Sequence, residues 1–143
     1  AHAHAELYRA ENLITTLLLA DEEHRTADPS QADFFHVPVM PYCYGGSGSY
    51  GAIMRDALEY VRATWPFWNA SGGADHTFTA ALDLGACTGG LVPDWARSMV
   101  ALTHYGCADN AKCQPVGGPK CFDPAKDIHI PAPVRVKADP RAL

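Results

Sequence analysis

The chain has 143 residues, 48% hydrophobic and 19% charged, a length and composition that suit one globular domain with its own core. Its net charge of -5 and isoelectric point near 5.7, with only 11 scattered Lys and Arg, exclude a nucleic-acid surface, which needs clustered cations. No apolar run approaches the roughly 20 residues needed to span a bilayer. The sequence opens at Ala1 without an initiator Met or a charged-then-apolar signal segment, the pattern expected of a processed chain or a fragment.

From Ala5 to Asp21, Leu7, Ala10, Leu13, Ile14, Leu17 and Leu18 recur at three- and four-residue intervals, which predicts a helix that buries this face. Asp28 to Asp33 reads as a turn with a short helical start. Phe34 to Met40, apolar, aromatic and β-branched, reads as a buried strand closed by Pro38 and Pro41. The glycine-rich stretch Tyr42 to Gly51 leads into an amphipathic helix, Ala52 to Thr64, which Trp65-Pro66 breaks. Asn69 to Asp75 is expected to be a loop and Thr77 to Leu82 a second strand, parallel to the first. Asp94 is placed to cap a helix running to about Leu102. Past Tyr105 the chain turns to Gly, Pro and Cys, with one further strand at Asp127 to Ile130. Helices alternating with buried strands give an α/β fold, a Rossmann-like three-layer unit with a parallel sheet, in a single domain over 1–143.

Gly46-Ser47-Gly48-Ser49-Tyr50-Gly51 has the G-x-G-x-x-G form between a strand and a helix. Five residues separate it from the strand, and no acidic residue ends a second strand at the dinucleotide offset, so it reads as a strand-to-helix loop rather than an NAD site. Gly46, Ser47, Gly48 and Ser49 can still meet a sugar or phosphate through amides at the helix start. Cys43, Cys87, Cys107, Cys113 and Cys121 suggest disulfides and an oxidising compartment, three of them lying in one irregular segment. Zinc with His104 as a fourth ligand is the rival, without a Cys-x-x-Cys knuckle to support it. Asn69-Ala70-Ser71 is an N-glycosylation sequon. Asp75-His76 and Asp83 flank the second strand, Asp83 at its carboxyl end, where parallel sheets bind ligands. Asp83 is therefore the candidate general base for a sugar hydroxyl, against a structural role at the Gly85 turn, and Asp75 and His76 are candidate substrate contacts. Trp65, Phe67 and Trp68 fit a core closure better than a sugar platform.

The run Trp65 to Cys87, WPFWNASGGADHTFTAALDLGAC, resembles the central motif of the exostosin-like glycosyltransferases (GT47 type). His24 to Val39 is similar to that family's R-T-x-D-P-x-x-A-D-F-F followed by x-V-P-V, and Lys126-Asp127-Ile128-His129-Ile130-Pro131 resembles its K-D-I-x-I-P; the spacing suits the plant and green-algal branch. The resemblance implies the amino-terminal, acceptor-side lobe of a GT-B enzyme of the Golgi lumen. Such an enzyme transfers a sugar with inversion from a nucleotide-sugar donor, held by a carboxy-terminal lobe, to a glycan acceptor without a required metal. No cofactor is then expected in this lobe, which alone would be inactive. Where family members read W-N-R-S-G-G and H-D-W-G-A-C, this chain has Asn69-Ala70-Ser71 and Leu82-Asp83-Leu84-Gly85-Ala86-Cys87. These changes from polar or aromatic groups give the alternative: a non-catalytic glycan-binding or structural module with protein partners in an extracellular or cell-surface assembly.

Overall fold

A computed structural model describes residues 8–42, 49–106 and 121–131. Four strands, β1 (Phe35–His36), β2 (His76–Ala80), β3 (Val100–Thr103) and β4 (Ile128–His129), form one sheet in the order β1-β2-β3-β4. All three pairings are parallel, Phe35 opposite His76, Ala80 opposite Thr103, and Thr103 opposite His129. Helix α1 (Ala10–Ala20) lies on one face, against β2. Helix α2 (Tyr50–Thr64) lies on the other, where Met54 and Leu58 pack with Phe78, Ala80, Val37 and Val39 into the main core. Successive strand residues point to opposite faces, so Thr77 meets α1's side while Phe78 meets α2's. The expected Rossmann-like α/β layering is what the chain forms.

Several elements differ from their sequence expectation. Helix α1 buries Ala10, Glu11 and Thr15 and turns Leu13, Leu17, Leu18 and Leu19 outward, with Leu17 60% and Leu19 62% exposed. The buried face keeps Ala10 and the half-buried Ile14 of the expected stripe but is rotated off Leu13 and Leu17 toward Glu11 and Thr15. The cause is polar: Glu11 accepts the backbone N–H of Ala81, just past β2, and that of Tyr42, in the connection after β1, and the Thr15 hydroxyl lies 3.5 Å from His36 Nε2. The strand expected over Phe34 to Met40 contracts to Phe35–His36, because Pro38 has no N–H for the ladder. Phe34 is left 62% exposed. The loop expected from Asn69 instead begins inside a short helix α3 (Phe67–Ser71), closed by Gly72 at φ 62°.

The helix expected from Asp94 to Leu102 is a single 3-10 turn, Asp94–Ala96, followed by β3. Asp94 does meet a partner there, accepting from Arg97 Nε at 2.8 Å. Val100, Ala101 and Thr103 are buried between β2 and β4, so sheet pairing overrides the local helix start. The Lys126-Asp127 pair secures the far end of β3. Asp127 Oδ1 accepts Ala101 N at 2.9 Å, and Lys126 Nζ donates to Met99 O at 2.6 Å.

Candidate active site

Because every strand runs the same way, the residues that follow β2 and β3 gather at one edge of the sheet, and the first turn of α1 lies over them. Glu11 there is fully buried; Oε1 accepts from Ala81 N at 3.4 Å and Oε2 from Tyr42 N at 3.2 Å. Tyr8, also buried, donates its hydroxyl to Asp83 Oδ1 and stacks its ring on Tyr42, centroids 3.9 Å apart. The Asp83 acceptor, burial and the carboxylate's charge push the Tyr8 hydroxyl up to about 12, so it stays a donor. Asp83 itself is exposed, with one oxygen taken by Tyr8.

The loop that carries Asp83 is pinned to the end of β3. Gly85 adopts φ 52°, and a Cβ on it would lie 2.1 Å from Thr103 Oγ1 and 2.5 Å from Tyr105 O, so no larger residue fits. Thr103 Oγ1 fills that space, accepting from Ala86 N at 3.1 Å and donating to Tyr105 O at 2.6 Å. Two residues on, Cys87 is bonded to Cys121, their Cα atoms 4.8 Å apart. His104, just past β3, has a buried Nδ1 with no hydrogen-bond partner. Burial lowers its pKa, opposed by the backbone of Leu82 and the charge of Asp83, while His129 reinforces the lowering. His129 Nε2 donates to His104 O at 2.8 Å. This edge holds a carboxylate open to solvent and a neutral imidazole in its field, the two kinds of group that accept a proton from a hydroxyl.

The structure separates the other candidates from Asp83. Asp75 and His76 sit at the amino end of β2, where Ser71 Oγ donates to Asp75 Oδ1 at 2.5 Å and His76 Nδ1 lies 2.6 Å from the same oxygen. His76 is buried between Phe35 and Trp68, at 5.1 and 4.8 Å between ring centroids. That pair orders the α3–β2 turn and is remote from the carboxyl edge. Trp68 closes the core, as expected, whereas Trp65 is 45% exposed against Tyr60 beside an apolar cavity of about 390 Å³. Ser49 is exposed and precedes α2 without a side-chain cap; Asn69 is exposed on α3. Cys43, Gly46, Ser47, Gly48, Cys107 and Cys113 lie outside the described residues. Among the described residues no group of three or more His, Cys, Asp or Glu is placed to hold a metal, and Cys87 and Cys121, two of the thiols a zinc site would use, are joined to each other. Nor is any described helix long and apolar enough to cross a membrane.

Sequence reasoning missed Tyr8, Glu11 and Tyr42. Tyr8 stands 75 residues from Asp83, and no spacing announces such a contact. Glu11 did leave a trace, a charge lodged between Ala10 and Ile14 on the expected inner face.

The exostosin GT47 domain matches residues 1–143. The chain is 34% identical to the "Probable glucuronoxylan glucuronosyltransferase IRX7" of Arabidopsis thaliana, over 77% of this chain and 28% of that protein. It is also 34% identical to a "Probable glucuronosyltransferase" of Oryza sativa subsp. japonica, over 96% of this chain and 35% of that one. It thus spans about a third of the length of these curated relatives. No solved structure matches it. With the family match running from the first residue to the last, over the parallel sheet that its motifs predicted, the chain belongs to the exostosin GT47 family.

Proposed function

We propose that this sequence forms the acceptor-side, amino-terminal lobe of a GT-B glycosyltransferase that moves a sugar from a nucleotide-sugar donor to a glycan with inversion. The observation that carries it is the Asp83 carboxylate, exposed at the carboxyl end of β2 and gripped on one oxygen by Tyr8. Asp83 takes the proton of an acceptor hydroxyl, the freed oxygen attacks the anomeric carbon, and the nucleoside diphosphate departs with the bonding pair into the carboxy-terminal lobe. The names of the relatives make nucleotide-linked glucuronic acid and xylan oligosaccharides the first pair to assay. The Cys87–Cys121 bond and the exposed Asn69 sequon favour the secretory pathway, with the Golgi lumen as the working location. In a family-length protein carrying this sequence, Asp83→Asn is expected to lower turnover at least about a hundredfold, the usual worth of a general base, while the thermal midpoint barely moves. Unchanged turnover would return Asp83 to a structural role.

One observation favours a second reading, a non-catalytic glycan-binding or structural module of an extracellular or cell-surface assembly. Leu82, where the family pattern has histidine, is 3% exposed and packed in the main core. A family-length protein that binds xylan oligosaccharides but turns over no nucleotide sugar from a broad panel would favour that reading.

A further inference from the structure

We propose that the start of α1, with Tyr8 just before the helix and Glu11 in its first turn, is a positioning clamp for the catalytic carboxylate: Tyr8 holds Asp83 by one oxygen, while Glu11 ties together the two chain segments that frame it. The proposal rests on the assignment of Asp83 as base. A buried carboxylate is costly unless bonded, and the inward face of an α1 rich in leucine would more cheaply hold an apolar side chain. Instead the helix turns its leucines out and its one buried carboxylate in, onto Ala81 N, two residues before Asp83, and onto Tyr42 N, at the mouth of the glycine-rich loop. Tyr42 in turn carries the ring on which Tyr8 stacks. The contacts close a circuit from α1 to Tyr42 to Tyr8 to Asp83 and back through Ala81 to α1. Within it the Tyr8 hydroxyl is a donor only. It occupies Oδ1, so the other carboxylate oxygen is left to meet an acceptor hydroxyl in a fixed direction, the condition for efficient proton transfer. Displacing either segment moves the base.

Tyrosine labelled with carbon-13 at Cζ, incorporated into the 143-residue chain, reads the clamp without any turnover; Tyr8 is identified among the six tyrosines by its loss in Tyr8→Phe. The Tyr8 signal is expected not to titrate by about pH 10.5, and in Asp83→Asn to titrate at clearly lower pH, close to the ordinary tyrosine value of about 10. In Glu11→Gln it should shift part of the way back. In the family-length enzyme Tyr8→Phe, which keeps the ring stack, should lower kcat about tenfold and leave KM within about twofold, as expected for loss of orientation rather than of binding. A Tyr8 that titrates at the ordinary tyrosine value in the unaltered chain overturns the clamp. So does an unaffected kcat in Tyr8→Phe beside an inactive Asp83→Asn enzyme. If Asp83→Asn itself keeps full turnover, the base assignment falls, and the titration still decides whether the contact exists. The Tyr8→Phe arm stands even if Glu11→Gln does not fold.

Discussion

His36 and His104 are held below their ordinary pKa of 6.5, each chiefly by burial. His36 is also fixed between Thr77 Oγ1, 3.0 Å from Nδ1, and Thr15. The sign follows from which state binds protons first. The unfolded chain protonates near 6.5 while the folded chain resists, so the stability these histidines contribute is present above that pH and drains away as pH falls below it. Urea unfolding midpoints are therefore expected to drop between pH 7.5 and 5.5, and to drop less in a His36→Gln, His104→Gln double variant; an equal drop in both would remove the histidines from the acid limb. Of the groups at the carboxyl edge, Asp83 was legible in the sequence because it ends an evident strand. His104 was visible only as a rival zinc ligand. Tyr8 and Glu11 were not legible as partners, since a contact across 75 residues exists only once the sheet has formed.

Periodicity located α1 and α2, because a 3.6-residue repeat is a local property, and the helix, strand, helix, strand order implied that the two strands flanking α2 run parallel. It could not tell that the inward face of α1 is rotated off Leu13 and Leu17 toward Glu11 and Thr15. Apolar spacing favoured the leucines, and two backbone amides seeking a carboxylate decided otherwise. Nor could it locate β3, whose residues Val100 to Thr103 follow a good helix start and become a strand only between two neighbours. The orientation of α1 is testable by substitution. Leu17→Glu with Leu19→Glu, both at solvent positions, should change unfolding free energy by no more than about 0.5 kcal/mol each. Leu58→Ala, at a fully buried position of α2, should cost about 2 to 5 kcal/mol by lost contact and cavity. Urea denaturation of the three proteins checks this; a large loss in the Leu17, Leu19 variant would mean that the leucines face the sheet after all.

Among the described residues, the carboxyl edge of the four-stranded parallel sheet carries one exposed and one buried carboxylate. Asp83 lies on it, Glu11 lies just beneath, and the chain as a whole carries a charge of -5. Such an edge suits neutral hydroxyls, which need a proton acceptor, far better than a diphosphate, which needs cations or free amides at hand. The two halves of a glycosyl transfer therefore ask for opposite surfaces, and holding both reactants in one cleft supplies much of the rate. If the acceptor-lobe proposal holds, the 143-residue chain by itself is expected to bind glycan weakly, with xylan oligosaccharides as the probe, in the millimolar range typical of a small polar contact of about 4 kcal/mol. It should transfer no sugar to them. Titrating labelled chain with oligosaccharide should shift the resonances of Tyr8, Asp83 and His104 ahead of those at the Asp75–His76 end. A parallel assay with nucleotide-linked glucuronic acid should release no nucleoside diphosphate above background. Measurable turnover by the chain alone would mean that this edge binds the donor as well, and the division into an acceptor lobe and a donor lobe would have to be abandoned.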